Sequence, residues 1–121
     1  NIQIGSACDD GSKFVGSHPN FSWQGFYVTD INQSVASNWA DSLALCDNLN
    51  RHGHGDWYLP SKNELNLLYL NKNALGGFSS DDYWSSTNQD SDRAWYQYFT
   101  NGIQGHNLKT NTIDVRCVRR E

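Results

Sequence analysis

The chain has 121 residues, a length that suits one domain over 1–121 and can bury a core without a metal. Only 37% of it is apolar; five Trp, six Tyr and five Phe carry much of the burial, while fourteen Asn and thirteen Ser favour turns and short strands. A formal charge of −4 and a pI near 5.4 argue against a nucleic-acid binder, and no run of about eighteen apolar residues exists to enter a membrane.

Residues 1–33 read as loops and short strands, with Lys13-Phe14-Val15 and Gly25-Phe26-Tyr27-Val28 bounded by Gly, Asn and Pro. A helix is predicted from about Ser37 to Asn50, capped by Ser34 or Ser37, because Trp39, Leu43, Cys46 and Leu49 recur on one face. Arg51-His52-Gly53-His54-Gly55 stops it. Ser61-Lys62-Asn63-Glu64 is a capping box, in which the Ser and Glu side chains each satisfy a helix-start amide. It opens a second helix with Leu65, Leu68, Tyr69 and Leu75 on its apolar face, ended by Gly76-Gly77.

Tyr83 to Thr87 reads as a strand. Ala94 to Thr100 alternates, so Trp95, Gln97 and Phe99 face one way and Tyr96, Tyr98 and Thr100 the other. Asn101-Gly102 predicts a tight hairpin turn that sets Phe99 opposite Gln104 and Trp95 opposite Leu108. A last strand, Ile113 to Val118, puts Ile113, Val115 and Cys117 on one face. Two helices followed by an antiparallel sheet define an α+β domain.

Of the three cysteines, Cys46 and Cys117 both lie in apolar patterns and should point inward, where they could meet. A link between them would close a loop of about 70 residues, worth roughly 3–5 kcal/mol in the loop-entropy model. Three reduced thiols are the alternative. Cys8, in a polar loop, is expected to stay open to alkylation.

Candidate chemistry is sparse. His52-x-His54-x-Asp56 lies in a Gly-rich loop and lacks the fourth ligand that zinc normally takes. Asp81-Asp82 and Asp90-x-Asp92 offer oxygens for calcium, which needs six to eight, and a structural calcium there is the alternative to a domain without metal. No nucleophile elbow, phosphate loop or dinucleotide pattern is present. The expectation is a domain that is not an enzyme and holds no metal or cofactor.

Charge is uneven. Residues 1–108 hold five Lys/Arg against eleven Asp/Glu, net −6, whereas 109–121 hold four against two, net +2. Lys109, Arg116, Arg119 and Arg120 are therefore the candidate site for a sulfate or carboxylate group, which a guanidinium grips bidentately. Lys62, Lys72 and Arg93 are secondary candidates. Arg116 has a second reading, held by an internal carboxylate, while Arg119 and Arg120 are expected to reach solvent at the chain end. An alternative site is one hairpin face made of Tyr96, Tyr98, His106 and Asn107, whose rings and amides suit sugar stacking or an oligomer interface.

Four strings occur in series: Asp56-Trp57-Tyr58-Leu59-Pro60-Ser61-x-x-Glu64-Leu65, Tyr83-Trp84-Ser85-Ser86-Thr87, Ala94-Trp95-x-x-x-Phe99-x-Asn101-Gly102 and Val115-Arg116-Cys117-Val118-Arg119. Together with Cys8-Asp9-Asp10-Gly11-Ser12-x-Phe14-Val15-Gly16 they resemble the Lcl C-terminal domain family, named for the Legionella collagen-like adhesin. The resemblance implies a C-type-lectin-like fold, related to the formylglycine-generating-enzyme variant, and the pairing of Cys46 with Cys117. It implies a secreted or bacterial cell-surface adhesin domain, homotrimeric at the end of a collagen-like stalk, that binds sulfated glycosaminoglycans or other anionic polysaccharides on host cells or matrix. No Gly-X-Y repeat lies within this chain, and the usual calcium-dependent sugar motifs of C-type lectins are absent. Two alternatives accompany this reading: a retroelement-diversified receptor that binds through its hairpin, and a structural trimerisation cap.

Overall fold

The computed structural model describes residues 3–30 and 32–120. Among them, strands β1 (Lys13–Ser17), β2 (Gly25–Val28) and β3 (Ser34–Ser37) precede helices α1 (Trp39–Asp47), α2 (Lys62–Leu70) and α3 (Lys72–Leu75). Strands β4 (Asp82–Asn88), β5 (Arg93–Tyr98), β6 (Gln104–Leu108), β7 (Ile113–Val115) and β8 (Val118–Arg120) follow. They form a three-stranded antiparallel sheet, β1-β2-β8, and a five-stranded sheet, β3-β7-β4-β5-β6, in which only β4 and β7 run parallel. The architecture is α+β.

Alternation along β4 divides the interior. Tyr83 and Trp84 are consecutive, so they project to opposite faces of the sheet. Tyr83 joins Val28, Leu65, Leu68, Phe99 and Val118 in one core, under α2. Trp84 joins Cys46, Trp57, Leu59, Val115 and Cys117 in the other, against α1. Both rings are fully buried. The five-stranded sheet is thus a wall between two cores, and each buried leucine or aromatic on it contributes about 1.5–3 kcal/mol.

Several elements depart from the sequence reading. Helix α1 starts later, because Asn38, not Ser34 or Ser37, caps it: Asn38 Oδ1 accepts from the Asp41 N–H at 2.9 Å. The Trp39 N–H is held by the Lys109 carbonyl at 3.0 Å, which anchors the helix start to the far end of the chain. The second helix has its expected capping box but breaks at Asn71, whose side chain donates to the Leu67 carbonyl at 2.9 Å. The hairpin carries a four-residue loop, Phe99 to Gly102, closed by Tyr98 N–H to Ile103 O at 2.8 Å and Gly102 N–H to Tyr98 O at 2.7 Å. Trp95 therefore pairs with His106 and Gln97 with Gln104. Phe99 is the reason: its ring packs 4.5 Å from Tyr83 and 5.0 Å from Phe78, so it leaves the ladder for the core. Gly102 takes φ +82°, and a Cβ there would lie 2.5 Å from the Tyr69 ring.

The predicted final strand is two strands in two sheets. After Val115 the chain leaves the five-stranded sheet, and at Val118 it enters the other. Two groups hold this crossing. Cys117 is disulfide-bonded to Cys46, 71 positions earlier, while Cys8 takes no part. Arg116, only 1% exposed, donates from Nε and Nη2 to the Thr29 carbonyl and from Nη1 to the Gly76 carbonyl at 2.9 Å. Its guanidinium lies 4.1 Å from the Phe78 ring centroid. Burial lowers its pKa to about 10, so it remains charged at neutral pH.

Arg116→Met leaves two buried carbonyls without their donors at about 1–3 kcal/mol each, so a loss of roughly 3–5 kcal/mol is expected in urea unfolding. Arg116→Lys should recover only part of it, since an ammonium cannot form the fork; a Met variant as stable as the parent would refute this role. Reduction of Cys46–Cys117 should cost a further roughly 3–5 kcal/mol. A non-reducing peptide map that joins either residue to Cys8 would overturn the pairing in solution.

Candidate functional site

The fold scatters the basic tail. Arg116 is a buried structural cation held by carbonyls, not by a carboxylate, and is no ligand for a glycan. Arg119, expected at the surface, is 5% exposed. Its Nε donates to Asp56 Oδ1 at 2.8 Å, and the guanidinium lies 5.5 Å from the Tyr27 ring. Lys109 donates to the Asp90 carbonyl at 2.7 Å and stands 4.5 Å over Trp39. Packing, not alternation, decides the outcome: consecutive Val118 and Arg119 of β8 are both buried, Arg119 between Asp56 and Tyr27, and only Arg120 at the strand end is exposed.

Arg120 lies 4.7 Å over the Phe21 ring, at a cleft of about 320 Å³ lined also by His18, Asn20, Tyr58, Ser61, Glu64 and Ser86. Four segments build this cleft. Tyr58 pairs with Val118 through two backbone hydrogen bonds of 2.8 and 2.9 Å, which sets the start of α2 beside β8. Ser86 is fixed by its N–H to the Pro60 carbonyl at 2.8 Å. The loop from His18 to Gln24 closes the third side through His18 N–H to Gln24 O at 2.9 Å.

Beneath it runs a buried polar network that sequence reasoning missed. His18 Nδ1 accepts the Asn20 N–H at 3.0 Å, so the ring proton sits on Nε2 and is donated to Glu64 Oε2. The same carboxylate oxygen accepts from the Tyr58 hydroxyl at 2.6 Å, and Oε1 accepts the Ser61 N–H at 2.8 Å. His18 and Glu64 are 3% and 4% exposed. Burial, then the hydrogen bond to Glu64, pushes the Tyr58 hydroxyl well above its ordinary pKa, so it stays a donor. The capping box signalled Glu64 only as a helix cap; nothing in the local pattern marked His18 as its partner.

Of the secondary cations, Lys62 and Arg93 both neighbour Trp95, and Lys72 does not. Lys62 follows Ser61, its N–H donates to Thr87 Oγ1 at 2.9 Å, and its ammonium stands 3.5 Å over the Trp95 ring. Arg93 is on the same face of β5 as Trp95. His106 meets the Trp95 ring edge-on at 5.5 Å. Lys72 is elsewhere, donating to the Phe99 carbonyl. A continuous strip therefore runs from Arg120 across Ser61 and Ser86 to Lys62, Trp95, Arg93 and His106. Asp90 borders it; its carboxylate is held below the usual range by the backbone N–H groups of Asp92 and Arg93.

The alternative hairpin face is corrected in the same register. His106 and Asn107 are consecutive in β6, so they point to opposite faces. Asn107 pairs with Ala94 and shares its side with Tyr96 and Tyr98, whereas His106 pairs with Trp95. Tyr96 packs against the Trp84 core, leaving Tyr98 exposed.

The loop histidines are structural too. His52 reaches the Asp10 carbonyl at 2.9 Å and Asp30 Oδ1 at 3.2 Å, and His54 reaches Asp10 Oδ2 at 2.9 Å. With Asp56 committed to Arg119, this trio diverges; among the described residues no group of three His, Cys, Asp or Glu side chains is placed to hold a metal ion. Asp81, Asp82 and Asp114 share a small cleft, where burial, then neighbouring carboxylates, raises Asp82; burial raises Asp114.

These features define a class: an α+β domain that presents open polar and aromatic clefts on its surface. The chain belongs to the Lcl C-terminal domain family, whose sequence model matches residues 15–119. No curated protein gives a significant match. No described helix is long and apolar enough to cross a membrane.

The Arg119–Asp56 pair yields a pH test. Arg119 hydrogen bonding lowers the Asp56 pKa below 3.8 in the folded state. The pair's contribution is therefore present above that value and lost as pH falls through the lowered one. Asp56 is exposed, so a double-mutant cycle of Arg119→Ala and Asp56→Asn should give a coupling of at most about 1 kcal/mol near neutrality. The coupling should shrink as pH falls through that lowered value; a coupling that does not change with acidification would show that the carboxylate charge does not matter.

Proposed function

We propose that this is a non-catalytic adhesin domain that acts outside the cell or at the bacterial surface and binds anionic polysaccharide, sulfated glycosaminoglycan foremost. One observation carries the reading. Arg120 and Lys62 each stand over an aromatic ring, on either side of Ser61 and Ser86, and neither has an ion-pair partner among the described residues. On a protein of net charge −4, a polyanion binds only where cations are held together and left available. The strip meets that need along a line, which suits a chain of charged sugars. Arg93 and His106 extend it. Arg116, Arg119 and Lys109, committed to protein groups, lie outside it.

Family membership supports the adhesin role. Our proposal includes the finer C-type-lectin-like assignment, with which helices on both sides of the larger sheet are compatible. It also includes a homotrimer at the tip of a collagen-like stalk, in which three strips acting together would raise a modest affinity by avidity.

Heparin affinity with salt elution tests it. Exposed charges are screened over about 8 Å at physiological ionic strength, so retention should fall steeply with salt, and desulfated heparin should be retained poorly. Lys62→Ala with Arg120→Ala should elute at clearly lower salt than the parent with an unchanged melting temperature. A double variant that co-elutes with the parent moves the site off this strip, and equal retention on desulfated heparin defeats the electrostatic reading.

A further inference from the structure

The aromatic end of the strip carries more than charge. His18, buried beneath the 18–24 loop, fixes that loop through Nδ1 to the Asn20 N–H and packs edge-on at 5.2 Å from Phe26. The Gln24 N–H returns to the Phe21 carbonyl at 2.9 Å. The loop so held presents two rings, Phe21 and Trp23, 5.3 Å apart and edge to face. Trp23 is 77% exposed, the most exposed large hydrophobic side chain among the described residues, on a protein that buries Trp57 and Trp84 almost completely. Over the first of these rings, Phe21, stands Arg120.

The cleft floor decides what fits. Its one carboxylate, Glu64, has both oxygens covered by donors from His18, Tyr58 and Ser61, so it presents little bare charge. What remains of the lining is one guanidinium, two serines, an asparagine and the Phe21 and Tyr58 rings, with Trp23 next to it, edge to face with Phe21. A volume of about 320 Å³ is at the small end of the range for ligand sites, room for one sugar ring. A peptide carboxylate would also meet Arg120, but the floor offers hydroxyl and amide groups in place of a pocket for an apolar side chain.

We propose that this cleft is a subsite for a single pyranose ring bearing one oxyanion, carboxylate or sulfate. The oxyanion takes the Arg120 fork, the apolar C–H edge of the ring meets Phe21 with Trp23 at the rim, and the ring hydroxyls reach Asn20, Ser61 and Ser86. This rests on the glycan-binding reading and narrows it from the charge of a polymer to the recognition of one residue of it. Because the loop and the arginine are already in place, little ordering cost opposes binding.

The Trp23 indole N–H, followed by ¹⁵N NMR in the whole chain, reports the event directly. Four probes separate the terms: methyl glucuronide, glucose 6-sulfate, neutral methyl glucoside and inorganic sulfate. Both acidic sugars should move the Trp23 signal saturably, with Kd of roughly 1–10 mM, and whichever binds tighter names the preferred oxyanion. The neutral sugar and inorganic sulfate should be at least about tenfold weaker, the loss of about 1.4 kcal/mol. Arg120→Ala should erase the preference for acidic sugars, while Lys13→Ala, which removes a cation from β1, should leave it intact. A silent Trp23, equal binding of acidic and neutral sugars, or unchanged binding by Arg120→Ala overturns the subsite. Heparin retention with a silent Trp23 removes the subsite and leaves the polymer reading. Saturable monosaccharide binding without heparin retention does the reverse.

Discussion

The whole arrangement depends on the crossing at Arg116 and Cys117. A chain that leaves one sheet for another exposes backbone groups that neither ladder can satisfy, and here the Thr29 and Gly76 carbonyls lie at that seam. A single guanidinium, with donors in a fixed fork, answers both while its plane covers Phe78. A buried charge without a hydrogen-bonded carboxylate is costly in general. It is tolerated because carbonyl dipoles surround it and the Cys46–Cys117 disulfide fixes the backbone beside it. Breaking this seam would release β8 and, with it, the wall of the Arg120 cleft.

That use of Arg116 reshapes the surface electrostatics. The C-terminal segment carries the chain's densest positive charge, yet most of it faces inward or onto partners. Arg119 covers Tyr27 and meets Asp56; Lys109 covers Trp39. The recurring device is a cation laid on an aromatic ring, which lets a long side chain shield apolar surface while keeping its charge near water. At Arg120 and Lys62 the same device leaves the charge available. A weakly anionic protein can then present cations locally without a broad positive field; on the proposed glycan-binding reading, affinity comes from geometry and valency more than from net charge.

Glu64 shows one residue serving two levels of structure. As the third residue of α2 it completes the capping box with Ser61. As a buried carboxylate it gathers His18 and Tyr58 and so ties the 18–24 loop to the helix start. A half-satisfied network of this kind would be a liability in a low-dielectric interior; here both carboxylate oxygens have donors. Among the described residues no buried side-chain nitrogen or oxygen is left without a partner.

By itself the sequence determined what local chemistry and periodicity control. The capping box at Ser61, the alternation of β5 and the inward faces of Cys46 and Cys117 each follow from neighbours within a few residues. So did family membership, through four short strings in order. Tertiary structure alone decided the rest. Phe99 lengthened the hairpin loop because burial beside Tyr83 and Phe78 outweighs the preference of Asn101-Gly102 for a tight turn. Asn38 took the cap from the serines because Ser34–Ser37 was drawn into pairing with β7. The basic tail looked like one cluster because its residues are close in sequence, but a side chain's availability depends on what packs over it. Arg116 and Arg120 are four positions apart, one sealed at a sheet crossing and the other open at the end of a strand. No local pattern distinguishes them, because partners 87 and 40 residues away hold the first and only the three-dimensional fold brings them there.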